Sequence, residues 1–309
     1  MFKKKVLLAL GMAAVLSTGC AATSVWAEEN ADVQAETEST DTEENSEAEG
    51  EAEEANPEIE EGYTTELDGC TKVVSWCKNG DNNIYGQFYY PADFDETKTY
   101  PTLIVCHGGN GNADSQDKVY CPTLAEAGYI CYAIDCRSEA SGGRGSYGDP
   151  TESGTADVAS YSEDVKAALD YIEGLDYVNK DSIYLMGGSM GGATCQVVAS
   201  QRAEEIAGLI ILSGSLGDDM GPSMYPDYEE IKANPYDGEV LFVQGLDDQQ
   251  CILSRTLENM EWYPNSSLTA ISNMGHGYGY QMDRPAVMTM DNVKEFLYRT
   301  VNHIGEKQE

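Results

Sequence analysis

Only three histidines occur among 309 residues, so chemistry that needs an imidazole has three places to happen. One serine stands out beside them. Residues 183–193 read IYLMGGSMGGA, with four glycines crowding Ser189. Glycine inside a helix or strand costs about 1 kcal/mol relative to alanine, so local stability does not explain the cluster. Gly187-Gly188-Ser189-Met190-Gly191 has the spacing G-x-S-x-G, after the apolar run SIYLM and before small residues suited to a helix. A serine at such a strand–turn–helix is held in a strained backbone conformation at the carboxyl edge of a sheet, and glycines two before and two after relieve the crowding. The hydroxyl then stands beside the positive end of a helix, as a nucleophile would. A phosphate loop fits less well. Ser189 stands where a dinucleotide fingerprint needs its second glycine, and the sequence has no Gly-Lys-Ser/Thr of a Walker loop.

A serine hydroxyl becomes a nucleophile when a base takes its proton and an acid orients that base. His303 falls in a terminal amphipathic stretch and reads as a surface residue. His107 closes the run TLIVC ahead of Gly108-Gly109 and reads as a support for that turn. His276 lies in NMGHGY, just after the run LTAIS, with Gly275 and Gly277 freeing the loop to present its ring. By elimination and position, His276 is the expected base. The acid is expected after the run VLFVQ, in GLDDQQC, where Asp247 and Asp248 are both available. Asp248 is favoured, three residues after Gly245 and three before a position that can anchor the loop; Asp247 is the alternative.

These residues need elements to carry them. Thr102–Cys106 and Tyr129–Ile134 are continuous apolar runs, as expected for strands covered on both faces. Ile84–Tyr90 alternates and reads as a strand near one edge. Further strands are expected at Ser182–Met186, Gly208–Ser213, Val240–Gln244 and Leu268–Ser272. Between Ser115 and Gly128 there is room for one helix. The clearest helix runs from about Ala156 to Gly174, where Val158, Tyr161, Val165, Leu169 and Ile172 share a face, with Asp157, Glu163, Asp164 and Lys166 on others. A small-residue helix follows Ser189 to about Arg202, another lies near Leu253–Trp262, and a terminal one spans Met290–His303. Alternating strands and helices predict an α/β fold, with a parallel sheet between helical layers.

From about Ile84 to His276 the chain resembles the α/β-hydrolases, most closely the dienelactone-hydrolase, cinnamoyl-esterase and prolyl-oligopeptidase-like branch. CHGGNGN, the G-x-S-x-G turn, QGLDD and NMGHGY occur in that family's order and spacing. The resemblance implies the α/β-hydrolase fold, a mostly parallel sheet flanked by helices. It also implies an oxyanion hole made by the backbone N–H groups of Gly109 and Met190, each such donor being worth about 3 kcal/mol. Dienelactone hydrolases proper use a cysteine nucleophile; Ser189 departs from them. Only about 25 residues separate Ser213 from Val240, so any lid there is small.

The ends and the charge set further bounds. MFKKKVLLALGMAAVLSTGCAATSVWAEEN places three lysines before an apolar stretch and then small residues, so 1–27 read as a secretory signal. Two processing readings compete: LSTGC fits a permissive lipobox that makes Cys20 a lipidated N-terminus, and Val25-Trp26-Ala27 fits a signal-peptidase site. Both place the protein outside the cytoplasmic membrane. Residues 28–68 hold 18 acidic side chains and no lysine or arginine, and read as a disordered, self-repelling spacer. The domain expected over 69–309 carries 36 acidic against 15 basic residues, a surface that repels nucleic acid. Eight cysteines lie outside Cys20, and Cys70 with Cys77 is a candidate local bridge. Cys106 and Cys131 read as small buried hydrophobes. No metal or nucleotide cofactor is expected.

The expected activity is that of a secreted serine carboxylic-ester hydrolase on small-molecule or polysaccharide-linked esters, such as acyl or feruloyl groups on plant polysaccharide. Tyr147, Tyr225, Tyr228, Tyr278 and Tyr280 are candidates to stack on sugar or phenolic rings. The alternative is a prolyl-oligopeptidase-like serine peptidase, a class that generally carries a large extra domain where this sequence has its acidic spacer. A binding protein on a hydrolase scaffold is a third reading, disfavoured by an intact serine, histidine and acid.

Overall fold

Apolar runs such as TLIVC and SIYLM cannot leave either face in water, and the fold covers both. The computed structural model describes Glu58 and residues 60–109, 111–116, 120–137, 158–217, 228–276 and 284–304. The expected signal with Cys20, and the spacer up to residue 57, lie outside the described residues. Among the described residues the strands are β1 (Thr64–Leu67), β2 (Cys70–Asn79), β3 (Asn82–Pro91), β4 (Tyr100–Cys106), β5 (Ile130–Ile134), β6 (Val178–Gly188), β7 (Gly208–Leu212), β8 (Glu239–Gly245) and β9 (Ser266–Ile271). The helices are α1 (Tyr120–Glu126), α2 (Val158–Glu173), α3 (Met190–Gln201), α4 (Tyr228–Ala233), α5 (Leu253–Met260) and α6 (Arg284–Val301). None is long and apolar enough to cross a membrane.

The strands form one sheet in the order β1-β2-β3-β5-β4-β6-β7-β8-β9. From β5 to β9 all neighbours are parallel; β1, β2 and β3 join by antiparallel pairing, β3 onto β5. Along β6 the side chains alternate between two cores. Ile183 and Leu185 pack with α2 and α3 on one face, and Tyr184 and Met186 pack with α1 and α6 on the other. Each fully buried apolar side chain contributes about 1.5–3 kcal/mol, which is why strands so covered read as unbroken apolar runs.

Several expectations change. Ile84–Tyr90 is not near an edge: β3 lies third in the sheet, behind the hairpin partner β2 and the short β1. The turn between β2 and β3 is the two-residue Gly80-Asp81, with Gly80 at φ 59°, as a tight hairpin requires. The boundary expected between 68 and 69 falls inside this antiparallel lead-in, because Thr64–Leu67 pair with Cys70–Val73. The terminal helix starts at Arg284 rather than Met290, and α4 forms within the short stretch between Ser213 and Val240. Asp164 is buried rather than solvated on α2, held by the Arg137 N–H at 2.7 Å, Arg137 Nε at 2.7 Å and Asn79 Nδ2 at 2.9 Å. Burial raises its carboxyl above the usual range, and those three donors oppose the rise.

The Cys70–Cys77 bridge is absent. Neither thiol is in a disulfide, and seven residues along one strand place them in the two opposite cores. All eight described cysteines, including Cys106 and Cys131, are buried and outside any disulfide.

Chain order reverses at β4. β5 lies on one side of it and β6 on the other, so the loops leaving the carboxyl ends of β4 and β6 diverge around a crevice. Cys106 pairs with Gly187 there, bringing the His107 loop and the Ser189 turn together.

Candidate active site

Ser189 sits between the end of β6 and the first turn of α3 with φ 52° and ψ −122°, a conformation L-residues adopt only when the surroundings impose it. Its N–H donates to the Leu212 carbonyl at 3.0 Å, anchoring the turn to β7. The flanking glycines are required for close approach and not for unusual angles. A Cβ on Gly187 would come under 3.0 Å from the Gly191 backbone, and one on Gly191 would do the same against the carbonyls of Cys106 and His107.

Ser189 Oγ lies 3.0 Å from His276 Nε2, and His276 Nδ1 lies 3.0 Å from Asp248 Oδ2. Nδ1–H therefore donates to the carboxylate and leaves Nε2 to accept the serine proton. The three side chains come from the carboxyl ends of β6, β8 and β9. Asp248 is the acidic residue the geometry pairs with His276; Asp247 is exposed and gives its N–H to the Met274 carbonyl at 3.0 Å. Asp248 Oδ1 accepts the N–H groups of Gln250 at 2.8 Å and Cys251 at 2.9 Å, so both carboxylate oxygens have donors. The acid loop and the histidine loop are joined by backbone: Leu246 N–H reaches the Ile271 carbonyl at 2.9 Å, beside the Asp247–Met274 bond. The histidine loop turns at Asn273, φ 60°, a residue that tolerates the left-handed region; Gly275 has a negative-side backbone and open space around it, and Gly277 lies outside the described residues.

His107 is fully buried and works on the neighbouring loop. Its Nε2 accepts the Cys136 N–H at 3.0 Å, so the proton is on Nδ1, which donates to the Gly108 carbonyl at 2.6 Å. Burial lowers its pKa to about 4, against the opposing pull of that carbonyl. Gly108 O also accepts the Gly111 N–H at 2.9 Å. With the oxygen of the Gly108–Gly109 peptide fixed twice, the Gly109 N–H points the opposite way across the planar trans bond. Met190 N–H is the first of the unpaired donors that open α3, and the Met190 side chain packs on Gly109, its Cε 3.5 Å from where a Cβ would stand. The Met190 side chain thus lies against the backbone of Gly109, the other residue expected to contribute an oxyanion-hole amide. His303 is exposed at the end of α6, far along the chain from this cluster.

Two polar residues that brace the site's loops, Gln244 and Asp135, belong to no motif in the sequence. Asp135 accepts the Ala113 N–H and pins the far end of the His107 loop. Each of the two stands at or just beyond the end of an apolar strand run (VLFVQ, YAI), and a polar residue there was the available signal. Among the described residues, Asp170, Glu173 and Glu205 are the one group with metal-ligand spacing, and Arg202 Nη2 sits against them, 2.8 Å from Asp170 and also paired with Glu205. Of the five tyrosines expected to stack on substrate, Tyr228 opens α4, and Tyr147, Tyr225, Tyr278 and Tyr280 lie outside the described residues.

Residues 101–240 match the family model of the alpha/beta hydrolase fold. The chain has the α/β-hydrolase fold. The chain is similar over 123 residues, at 29% identity, to the uncharacterized protein YcjY of Escherichia coli (strain K12), a match covering 40% of this chain and 38% of YcjY. It is 28% identical over 179 residues to dipeptidyl-peptidase 5 of Porphyromonas gingivalis, covering 53% of this chain and 24% of that protein. The chain therefore spans well under half the length of both curated relatives. Among solved structures, Est1E from Butyrivibrio proteoclasticus with ferulic acid bound superposes with a TM-score of 0.59 at 20% identity, covering 74% of this chain and 99% of Est1E. These matches bear on the fold; the reaction is a separate question.

Proposed function

We propose that the protein is an exported serine hydrolase that cleaves carboxylic esters through an acyl-serine intermediate. The observation that carries this reading is the unbroken contact from Ser189 Oγ to His276 Nε2 and from His276 Nδ1 to Asp248 Oδ2, each 3.0 Å. His276 takes the proton from Ser189 as the oxygen attacks the ester carbonyl. The developing oxyanion is received by the N–H groups of Gly109 and Met190, and Asp248 stabilises the imidazolium. The imidazolium then gives its proton to the leaving alcohol. Water, deprotonated in turn by His276, releases the acid and restores Ser189.

Esters of acyl or phenolic acids on plant polysaccharide are the proposed substrate class. Support comes from the likeness of the whole domain to Est1E, which was solved with ferulic acid, and from the leader sequence. The anionic surface argues against nucleic acid as a partner. A serine peptidase is the second reading, favoured by the match to dipeptidyl-peptidase 5. The deciding experiment compares turnover of an aryl acetate, a feruloyl ester and a dipeptide amide by the purified protein. Ester cleavage far ahead of amide cleavage is expected; efficient cleavage of the dipeptide amide would replace the esterase reading with the peptidase one.

A further inference from the structure

Gln244 ends the apolar run of β8 with a fully buried amide, engaged at both ends. Its Nε2 donates to the Cys251 carbonyl at 2.6 Å and the Gly245 carbonyl at 3.0 Å, the two ends of the acid loop, and lies 3.5 Å from Asp248 Oδ2. Its Oε1 accepts from Thr256 Oγ1 on α5 at 2.8 Å. Thr256 Oγ1 also faces Ser215 Oγ as a second, longer acceptor at 3.3 Å, so its one hydrogen serves the short Gln244 contact and the long Ser215 contact together. Ser215 and Thr256 are buried as well.

Ser215 belongs to the segment that leaves β7 and passes behind the nucleophile. Its neighbour Gly214 packs so tightly there that a Cβ would come under 3.0 Å from Ser189 O and Gly192 Cα. On its other side Leu216 is clamped by Asn259, giving its N–H to Oδ1 at 2.6 Å and accepting from Nδ2 at 2.9 Å. The segment is thus fixed against both α3 and α5.

We propose that Gln244 and Thr256 are positioning residues for the acid: the Ser215–Thr256–Gln244 chain ties the acid loop to the segment packed behind Ser189 and sets the direction in which Asp248 faces His276. The inference rests on reading Ser189, His276 and Asp248 as the working triad. Thr256 is the donor that holds Oε1 from α5. Without its hydroxyl that buried Oε1 loses its partner, and turning the amide is no remedy, because it would set Oε1 against the Cys251 and Gly245 carbonyls and beside the Asp248 carboxylate. Gln244 must then shift to find another donor, and the loop and Asp248 shift with it.

The test uses Thr256→Val and Thr256→Ser, with kcat and KM on an aryl acetate, the rate of labelling by a fluorophosphonate, and the melting temperature. A misplacement of 1 Å costs on the order of 10²-fold, so the smaller shift expected in Thr256→Val should lower kcat roughly tenfold with KM nearly unchanged. Labelling should slow in parallel, and Thr256→Ser should recover most of both rates. A Thr256→Val protein that melts lower but keeps its kcat overturns the proposal, as does a Thr256→Ser protein as slow as the valine variant. If Thr256→Val does not fold, Ser215→Ala serves instead, with a smaller fall in kcat at unchanged KM expected and an unaltered kcat overturning. A wild type that neither labels nor turns over ester overturns the triad reading and this inference with it; a wild type that labels, with indifferent variants, sinks this inference alone.

Discussion

The α-carbon of Gly191 faces the carbonyl oxygens of Cys106 and His107 so closely that no side-chain carbon fits between them. The atoms in the way are backbone of β4 and its loop, which cannot rotate aside. Gly191→Ala should therefore destabilise the domain by about 3 kcal/mol, the upper range for overpacking. It should also separate the Ser189 turn from the Gly109 loop and lose most ester turnover. Urea unfolding of the variant beside wild type checks the first effect; a loss under 1 kcal/mol would mean the two loops are not in this contact.

Ser189 holds φ at 52°. Replacement by alanine keeps the strain and removes the hydroxyl, whereas glycine removes both. Ser189→Ala should lose roughly 10⁶-fold in kcat at nearly unchanged thermal stability. Ser189→Gly should be equally inactive but about 1 kcal/mol more stable than Ser189→Ala. Calorimetry on the pair measures the difference, and the opposite order of melting would contradict the strain.

Asp248 and Asp247 are adjacent in sequence and separated by burial. Asp248→Asn should lower kcat by roughly 10⁴-fold, because an amide at that position favours the wrong imidazole tautomer. Asp247→Asn should leave kcat within a few-fold. Equal losses in the two variants would reassign the acid.

His107 gives the protein an acid-sensitive stability. Its pKa falls from the ordinary 6.5 to about 4 in the fold because the ring is buried. Between those values the unfolded chain takes up a proton that the folded one refuses, so stability drops as pH falls through that window and the contribution is intact above it. The full loss is about 3 kcal/mol by pH 4. Unfolding free energy measured from pH 7 to 4 should fall more steeply in wild type than in His107→Gln; parallel slopes would show that the ring is not held neutral.

All eight described cysteines are buried, and burial pushes the Cys77 thiol up to about 12 and Cys136 and Cys195 well above the usual range. Such thiols are protonated and unreactive at neutral pH. The native domain should react slowly with a thiol reagent and yield all eight from Cys70 to Cys251 once unfolded without reductant. Fewer than eight would reveal a bridge.

The parts of the site that lie in contiguous sequence were readable there. G-x-S-x-G after SIYLM carries its own strand, turn and helix, and the glycines around it answer to clashes that any such turn produces. His276 emerged from scarcity, since two of three histidines had simpler roles. The antiparallel lead-in was not seen because β1 and β2 mix charged and polar residues with Val and Trp, and their partners are set by the hairpin at Gly80-Asp81. Gln244, Thr256 and Ser215 look like ordinary polar residues in sequence; they acquire a role only where β7, β8 and α5 converge.

Sequence alone determined which hydroxyl could be strained into a nucleophile and in what order its partners follow, because local backbone sterics and residue chemistry decide those matters. Which aspartate turns inward, which cysteines stay apart and which polar side chains brace the acid loop were decided by tertiary structure. Those choices depend on burial and on hydrogen-bond partners far away along the chain, and neither exists until the sheet has formed.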